Sequence, residues 1–195
     1  IVEEVSGLPL DRYFRERIFE PLGMTDTGLA WSERLAGNRA TGYRLTRHGP
    51  EPLVDRDWVT VAASSIVSTI RDMARYAAAL MGGGTNDHGS GCSADGNLLV
   101  DASIYDAFLE QLQQEGGYLV NEREKGLLQR AYWDEQGRRT ADTIARPAEA
   151  IAAKAGIDLP AGKTFFIVPE TNIGKQYPFS TEKLGVVLSI FKCRD

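Results

Sequence analysis

The sequence predicts an α/β protein in two pieces: a mainly helical N-terminal piece and a C-terminal α/β piece with a small, mostly parallel sheet. In the C-terminal half, apolar segments of strand length alternate with amphipathic helical patterns, an order typical of parallel strands joined by crossover helices. In the N-terminal half, helical periodicity recurs without such strands. Between the halves, a helical pattern ends at the glycines of residues 82–84, and mostly small residues follow up to Asn97.

Two helices are predicted in the N-terminal piece. Apolar residues recur at four-residue spacing over 10–20, which places them on one face of a helix that Pro21 would end. A second apolar pattern predicts a helix over 69–81 with Thr69 as its N-cap. Asp72, three residues further on, is expected to complete a capping box with Thr69. Between these helices the chain has little periodicity and is expected to be mostly loop, with a short strand near Tyr43.

Three strands are predicted in the C-terminal piece, and we expect them to share one sheet. Their apolar, β-branched content is that of buried strands, and they span residues 97–101, 164–168 and 186–192. The intervening helices are expected to begin at Ser103, Asn121 and Pro147. Gly116 and Gly117 are expected to end the first of them. The charged residues of loop 134–139 are expected to form solvated surface.

The composition is that of an ordinary soluble globular chain, with 195 residues of which 43% are hydrophobic and 25% charged. The net charge is −5, and acidic and basic residues are interspersed without a basic block, so nucleic acid is not expected as a partner. No apolar run approaches the ~20 residues that a membrane-spanning helix needs. A membrane is therefore not expected as a partner either.

The two cysteines and the N-terminal residues are the features of the sequence that bear on the cellular compartment of the protein. Cys92 and Cys193 lie in different contexts and can form at most one bridge, which favours a reducing compartment and a cytoplasmic location. The chain opens within a helical pattern and without Met, so we expect the true N-terminus to be missing. The lack of a targeting segment therefore carries no information.

The glycine-rich stretch from Gly82 to Asn97 has two interpretations. It is a flexible linker, or else the glycines form a junction and residues 89–95 form a loop that presents Cys92 as a nucleophile. The second interpretation is favoured because linkers seldom contain cysteine and the entrance of a strand can present a reactive thiol. An inert loop thiol remains the alternative for Cys92. His88 has no further Cys or His cluster beside it, so no metal site is expected.

Residues 1–84 carry a first resemblance. The segments IVEEVSGLPLDRYFRERIFEPLGMTDTGL and SSIVSTIRDMARYAAALMGG resemble the serine β-lactamase and penicillin-binding-protein-like hydrolase family. That family needs a nucleophile in a Ser-x-x-Lys motif, a Tyr-x-Asn motif and a late Lys-or-His-x-Gly motif. No Tyr-x-Asn occurs in the chain, and neither histidine has glycine two residues on. This piece therefore resembles a hydrolase fragment without its catalytic motifs.

Formal Ser-x-x-Lys matches occur only outside the resembling region, at Ser180 to Lys183 and at Ser189 to Lys192. The second pair lies in a predicted strand, where residues three apart point to opposite faces, so Lys192 could not serve Ser189. The first pair could begin a helical turn, although so short a motif arises easily by chance.

Residues 85–195 carry a second resemblance. The segments GSGCSADGNLLVDASIYDAFLEQL, IAAKAGIDLP and PFSTEKLGVVLSIFK resemble the CoA-acylating aldehyde dehydrogenases. In that family the reactive cysteine lies in a small-residue loop that leads into a strand, which corresponds to Cys92. The resemblance implies attack of a thiolate on an aldehyde, hydride transfer to NAD, and release of the resulting thioester to coenzyme A. Cysteine suits this chemistry because its thiolate is both a strong nucleophile and a competent leaving group.

The same resemblance implies a cofactor contact near the last strand. The Glu-x-Phe-Gly-Pro block of the wider aldehyde dehydrogenase family binds the nicotinamide ribose through its glutamate. Here the block reads Glu182-Lys-Leu184-Gly-Val186, so Glu182 takes that role and Leu184 is a second cofactor contact. Leu184 and Val186 replace the usual Phe and Pro.

These observations predict a composite chain: a β-lactamase-like hydrolase fragment, 1–84, joined to a fragment of an acylating aldehyde dehydrogenase catalytic domain, 85–195. The favoured function is the oxidoreductase with NAD and coenzyme A as cofactors and an aldehyde or acyl-CoA as substrate. The alternatives are a serine hydrolase with its catalytic residues missing and a non-catalytic composite or scaffold. The isolated chain is expected to be inactive, and its apolar faces to be covered by missing domain segments or by self-association.

Overall fold

The computed structural model describes residues 1–29, 35, 37, 40–52, 66–82, 88–90 and 96–194 of the chain. The chain packs as two compact units, Ile1–Asp72 and Met73–Asp195. The boundary by packing therefore falls inside the helix predicted at 69–81. The boundary between the two family resemblances, at residue 84, concerns ancestry and stays a prediction.

The first unit opens with two short helices. Helix α1 (Val2–Ser6) ends at Gly7, whose φ of 70° is the left-handed conformation that closes many helices. Helix α2 (Leu10–Phe14) continues as one π-helical stretch, Arg15–Phe19, so the helix predicted over 10–20 is present but widens halfway along. A hairpin follows, in which strand β1 (Tyr43–Thr46) pairs antiparallel with strand β2 (Gly49–Pro52).

Helix α3 (Ile70–Gly82) begins where the sequence predicts. The Asp72 amide donates to the Thr69 hydroxyl oxygen at 3.3 Å, as expected for an N-cap. The Asp72 carboxylate also accepts from the Asp26 amide at 2.7 Å and from the Thr27 hydroxyl at 2.8 Å. Asp72 thus ties the helix to a preceding loop, a role that local spacing does not show.

The second unit contains a four-stranded sheet with the order β3-β6-β5-β4, in which every neighbouring pair is parallel. Its strands are β3 (Asn97–Asp101), β4 (Gly117–Leu119), β5 (Phe165–Glu170) and β6 (Val187–Cys193). The three predicted strands therefore share one sheet, which confirms the prediction.

Within this sheet, strand β4 is the strand that the sequence does not predict. A Cβ on Gly117 would lie 2.8 Å from the Leu112 carbonyl oxygen, which is backbone, and 2.5 Å from Ile167 Cδ1, so glycine lets β4 begin directly after the preceding helix. Gly116 and Gly117 do end the preceding helix, as predicted, but the second of them also begins this strand.

Three helices accompany the sheet: α4 (Tyr105–Gln114), α5 (Glu122–Tyr132) and α6 (Ala148–Ala155). Asn121 caps α5 in a full capping box with Glu124, and Pro147 precedes α6, both as predicted. Ser103 does not cap α4, because its hydroxyl and amide both donate to the Asp101 carboxylate. None of the helices that the structure describes is long and apolar enough to cross a membrane.

The core of the second unit lies on both faces of the central strands. Successive residues of a strand point to opposite faces, yet the four residues 165–168 of β5 are all fully buried. Strand β3, at the end of the sheet, is covered less, since Leu99 is 75% exposed. The helices thus cover the middle of the sheet and leave its β3 end open.

Candidate functional site at the amino edge of the sheet

The residues implicated by the sequence lead into neighbouring strands. In a parallel sheet all strands begin at the same edge, and β3 and β6 lie side by side. The Ser189 amide donates to the Gly96 carbonyl at 2.9 Å and fixes the register of the two strands. Cys92 precedes Gly96 by four residues, and Glu182 precedes β6. Residue 92 lies outside the residues that the structure describes, so its assignment as a nucleophile stays a prediction.

Glu182 and Leu184 lie in the segment between a 3-10 turn, Pro178–Ser180, and β6. The carboxylate of Glu182 is exposed, and its backbone carbonyl accepts from the Arg139 guanidinium at 2.9 Å. Leu184 is half-buried with a φ of 49°, and its carbonyl accepts from the Ala145 amide at 3.2 Å. The backbone is therefore held at both predicted cofactor contacts, while the glutamate side chain is free to meet a ligand.

Gly185 is required at its position for a steric reason. A Cβ there would lie 2.7 Å from the Tyr132 hydroxyl oxygen and 3.1 Å from the Thr143 carbonyl oxygen. Distances this short leave no room for a side chain. The glycine of the Glu-x-x-Gly pattern thus allows the segment to pass directly over the end of helix α5.

Lys183 is a buried cation that the sequence does not identify as part of this edge. It is only 2% exposed, and its Nζ donates to Asn97 Oδ1 at 2.8 Å and to the Phe179 carbonyl at 2.9 Å. Burial, and then the positive charge of Arg139, lower the pKa of the Lys183 amine from 10.5 to about 7. Lys183 Nζ also lies 3.1 Å from where a Cβ on Gly96 would be, so a side chain at residue 96 would require the lysine to shift.

Arg139 is the second cation at this edge, and for this residue of loop 134–139 the prediction of solvated surface is wrong. Arg138 does lie exposed and pairs with Asp134 at 2.8 Å. The guanidinium of Arg139, in contrast, lies over two aromatic rings, 5.1 Å from the Tyr132 centroid and 5.6 Å from the Trp133 centroid. The attraction between the cation and these rings holds the Arg139 side chain against the protein. A sequence of charged residues does not by itself indicate such a contact.

The polar atoms around Tyr132 are incompletely paired within the part of the chain that the structure describes. The Tyr132 hydroxyl is fully buried and has no hydrogen-bond partner there, and neither do Nε and Nη2 of Arg139. Burial raises the pKa of the Tyr132 phenol and lowers that of the Arg139 guanidinium. This cluster therefore carries unsatisfied hydrogen-bonding capacity directly beneath the Glu182 segment.

Neither Ser-x-x-Lys match forms a catalytic pair. Ser180 Oγ accepts from the Gly174 amide at 3.1 Å, whereas Lys183 bonds to other groups. Ser189 is buried, while Lys192 is exposed and pairs with Asp106 at 3.3 Å, which confirms that the members of this second pair point apart. Lys183-Leu-Gly185 also has the form of the late Lys-x-Gly motif, which was not among the matches predicted from the sequence. Lys183 Nζ donates to Asn97 Oδ1 and to the Phe179 carbonyl, and Ser189 Oγ donates to the same carbonyl.

A cavity of about 470 Å³ lies at the opposite, carboxyl edge of the sheet. Its lining includes Lys125 and Glu170, which pair at 3.1 Å. Because the Glu170 carboxylate neutralises the lysine, this cavity offers no net charge from the pair for a ligand. None of the residues predicted as a site lies in its lining.

Comparison with known proteins assigns the chain to a family. The family model for β-lactamases matches residues 1–185. The chain belongs to the β-lactamase family. This β-lactamase-family chain is at the same time similar, over 68% of its length, to curated acylating aldehyde dehydrogenases. It is 30% identical over 134 residues to the sulfoacetaldehyde dehydrogenase (acylating) of Cupriavidus necator and 29% identical over 139 residues to that of Bilophila wadsworthia.

A solved structure gives the same similarity in three dimensions. The crystal structure of an acetylating aldehyde dehydrogenase from Geobacillus thermoglucosidasius matches 60% of the β-lactamase-family chain with a TM-score of 0.55 and 33% identity. The chain spans 26% of that protein, and 27% and 30% of the two curated relatives. The predicted composite resemblance and the predicted α/β fold class are therefore both confirmed.

The sequence found part of this site and missed the rest. It identified Glu182 and Leu184 through a motif, and the structure places both in the segment leading into β6. It missed Lys183 and Arg139, which the fold brings together beneath that segment. The local sequence gives no signal for either residue, because Lys183 lies in a polar stretch, Ser180-Thr-Glu-Lys183, and Arg139 lies in a charged loop.

Proposed function

We propose that the C-terminal part of this chain is a segment of a CoA-acylating aldehyde dehydrogenase. Such an enzyme converts an aldehyde, coenzyme A and NAD to an acyl-CoA and NADH. The observation that carries the proposal is the side-by-side start of β3 and β6, since these strands follow the segments that contain Cys92 and Glu182. The similarity to curated acylating aldehyde dehydrogenases supports it.

Cys92 is the proposed nucleophile. Its thiolate attacks the carbonyl carbon of the aldehyde and forms a carbon–sulfur bond, and loss of hydride from that carbon leaves a thioester on Cys92. The thiol of coenzyme A then attacks the thioester, and the Cys92 thiolate leaves. NAD, when bound, supplies the hydride acceptor.

The described residues fit one end of the nicotinamide cofactor. The exposed Glu182 carboxylate can accept hydrogen bonds from ribose hydroxyls, and Leu184 offers an apolar contact beside it. Arg139 holds the Glu182 carbonyl, so the carboxylate projects from a fixed backbone. We assign only this ribose end of the cofactor to residues of the described part of the chain.

We expect the isolated chain to show background turnover, because it spans less than a third of the length of its relatives. Positioning of reactants contributes ~7–11 kcal/mol to barrier lowering in well-oriented reactions. A chain that does not hold the nicotinamide in place loses much of that contribution. The half-reaction that needs no nicotinamide is therefore the better test.

The test is acyl transfer from acetyl-CoA to the protein, followed by mass spectrometry of the intact chain and of its peptides. In this reaction the Cys92 thiolate displaces the coenzyme A thiol and retains the acetyl group as a thioester. We expect hydroxylamine-sensitive acetylation on Cys92 that Cys92→Ser abolishes and Cys193→Ser leaves unchanged. Absence of acetylation, or equal acetylation of Cys193, would overturn the nucleophile assignment.

A serine hydrolase is the second candidate, favoured by the β-lactamase family match over residues 1–185. This chemistry needs a serine activated by a nearby base, and neither Ser180 with Lys183 nor Ser189 with Lys192 forms such a pair. We therefore expect no covalent adduct with a fluorescent penicillin. A stoichiometric adduct on any serine would reverse this ranking, and failure of both tests would favour a non-catalytic composite.

A further inference from the structure

Three segments of the second unit meet at a single side chain. Lys183 Nζ contacts Asn97, the first residue of β3, and Phe179, in the turn before the Glu182 segment. The Phe179 carbonyl also accepts from the Ser189 hydroxyl at 2.7 Å, which adds β6 to the same cluster. One buried amine therefore joins the start of β3 to the segment that leads into β6.

The partners of this amine are neutral. In the part of the chain that the structure describes, the two acceptors of Lys183 are an amide oxygen and a backbone carbonyl, and the charged group that acts on it is the like charge of Arg139. A protonated lysine has three N–H donors, whereas a neutral one keeps two and can still serve both acceptors. The hydrogen bonds thus survive loss of the proton, so the contact is geometric and does not depend on an ion pair.

The Lys183 side chain also packs closely against Gly96, the residue before β3. A Cβ on Gly96 would lie 3.1 Å from Nζ and 3.2 Å from Cε of Lys183, so the lysine occupies space that a side chain would otherwise fill. The carbonyl of the same glycine accepts from the Ser189 amide. The lysine contact and the β3–β6 register therefore share one residue.

We propose that Lys183 is a positioning residue: by binding Asn97 and the Phe179 carbonyl it fixes the start of β3 relative to the segment that carries Glu182. The inference rests on the proposed function, because only there do these two segments serve one reaction. Lys183 itself is buried and is assigned no contact with substrate.

The first test measures amide hydrogen exchange in the full chain by NMR. Lys183→Met removes both donors, and Asn97→Ala removes one acceptor. Each is expected to raise exchange of the Ser189 amide about ten-fold, the equivalent of one lost hydrogen bond, and to leave the Phe166 amide, which bonds to Val186, unchanged. Lys163→Met is the matched control, since its Nζ bonds to the Gln113 carbonyl, far from the start of β3 in sequence.

The second test uses charge. Asn97→Asp places a carboxylate where the amide oxygen lies, 2.8 Å from Nζ. An opposite charge at this distance favours the protonated amine, so the titration midpoint of Lys183, followed by its side-chain NMR signal, should rise by about one pH unit or more. If the Lys183 amine did not lie beside residue 97, its titration midpoint would stay unchanged in Asn97→Asp.

The third test joins the inference to the reaction. Lys183→Met should slow acetyl transfer to Cys92 about ten-fold while the alkylation rate of Cys193 stays unchanged. An unchanged Ser189 exchange rate in both variants, or an unchanged midpoint in Asn97→Asp, would overturn the positioning role.

If the parent chain does not accept the acetyl group, the proposed function fails, and the exchange and titration results still decide the role of Lys183. If Lys183→Met does not fold, Asn97→Ala carries the exchange test.

Discussion

The hydroxyl oxygen of Tyr132 lies 2.7 Å from the position that a Cβ on Gly185 would occupy. Helix α5 ends at this tyrosine, and the glycine lies two residues before the first residue of β6. The contact explains why the chain needs glycine at this position. Substitution of either residue therefore tests how closely the end of α5 approaches the start of β6.

Gly185→Ala should destabilise the protein by about 1–3 kcal/mol, because the new methyl group would overlap the Tyr132 hydroxyl and press on the Thr143 carbonyl. The free energy of unfolding from urea titration measures this loss. Gly126→Ala is a useful comparison, since neither glycine has a positive φ and a Cβ on Gly126 would meet only Arg130 Nη1, at 3.7 Å. Equal losses in both variants would show that overlap with the tyrosine is not responsible.

Tyr132→Phe should leave stability unchanged or raise it by about 1 kcal/mol. The buried hydroxyl has no hydrogen-bond partner in the described part of the chain, so its removal relieves a desolvation penalty without breaking a bond. The same substitution should restore part of the stability lost in Gly185→Ala. A clear destabilisation in urea titration would show that the hydroxyl has a partner in the folded protein.

The stability of the protein should rise with pH above neutrality because of Lys183. Its pKa is about 7 in the folded chain and 10.5 as its ordinary value, so between these limits the unfolded chain binds more protons. The free energy of unfolding should therefore rise by about 1.4 kcal/mol per pH unit across this window, and the destabilisation should be complete below pH ~7. Urea titrations of the parent chain and of Lys183→Met isolate the effect, since the difference between them should vary with pH. A constant difference would contradict the low pKa.

Arg139→Lys should lower stability by about 1–2 kcal/mol although the charge is kept. An ammonium cannot lie flat over Tyr132 and Trp133 while it bonds to the Glu182 carbonyl, as the planar guanidinium does. The neighbouring Arg138→Lys is the matched control and should change stability by less than about 0.5 kcal/mol, because that side chain is exposed. Thermal denaturation followed by circular dichroism would distinguish the two.

The open end of the sheet should promote self-association. Leu99 is 75% exposed on β3, the last strand at that end in the part of the chain that the structure describes. Such an edge offers unpaired backbone groups and apolar surface to another chain. Leu99→Lys should therefore reduce both association in sedimentation experiments and binding of apolar dyes. Ile173→Lys, at 77% exposure but outside any strand, should have a smaller effect, and equal effects would remove the edge as the cause.

Much of the fold follows from local patterns in the sequence. The strands at 97–101, 164–168 and 186–192 are predicted by runs of β-branched and apolar residues, and the start of α5 by Asn121. These features depend on residues within one or two turns of each other, so short-range periodicity and capping chemistry determine them. The segment with Glu182 and Leu184 also came from the sequence, through a resemblance carried by its motif.

Tertiary structure decided which residues share a site. Lys183 meets Asn97, and Gly185 meets Tyr132, only because parallel strands begin at one edge and helix α5 ends beneath it. Strand β4 is too short to have a pattern and is recognised only through its pairing with β5. Arg139 and Arg138 are the same residue type side by side, yet one lies over aromatic rings and the other in solvent. Burial and pairing of this kind depend on segments far apart in the chain, whereas periodicity and capping depend on near neighbours. Periodicity and capping can therefore be taken from the sequence by itself, and burial and pairing cannot.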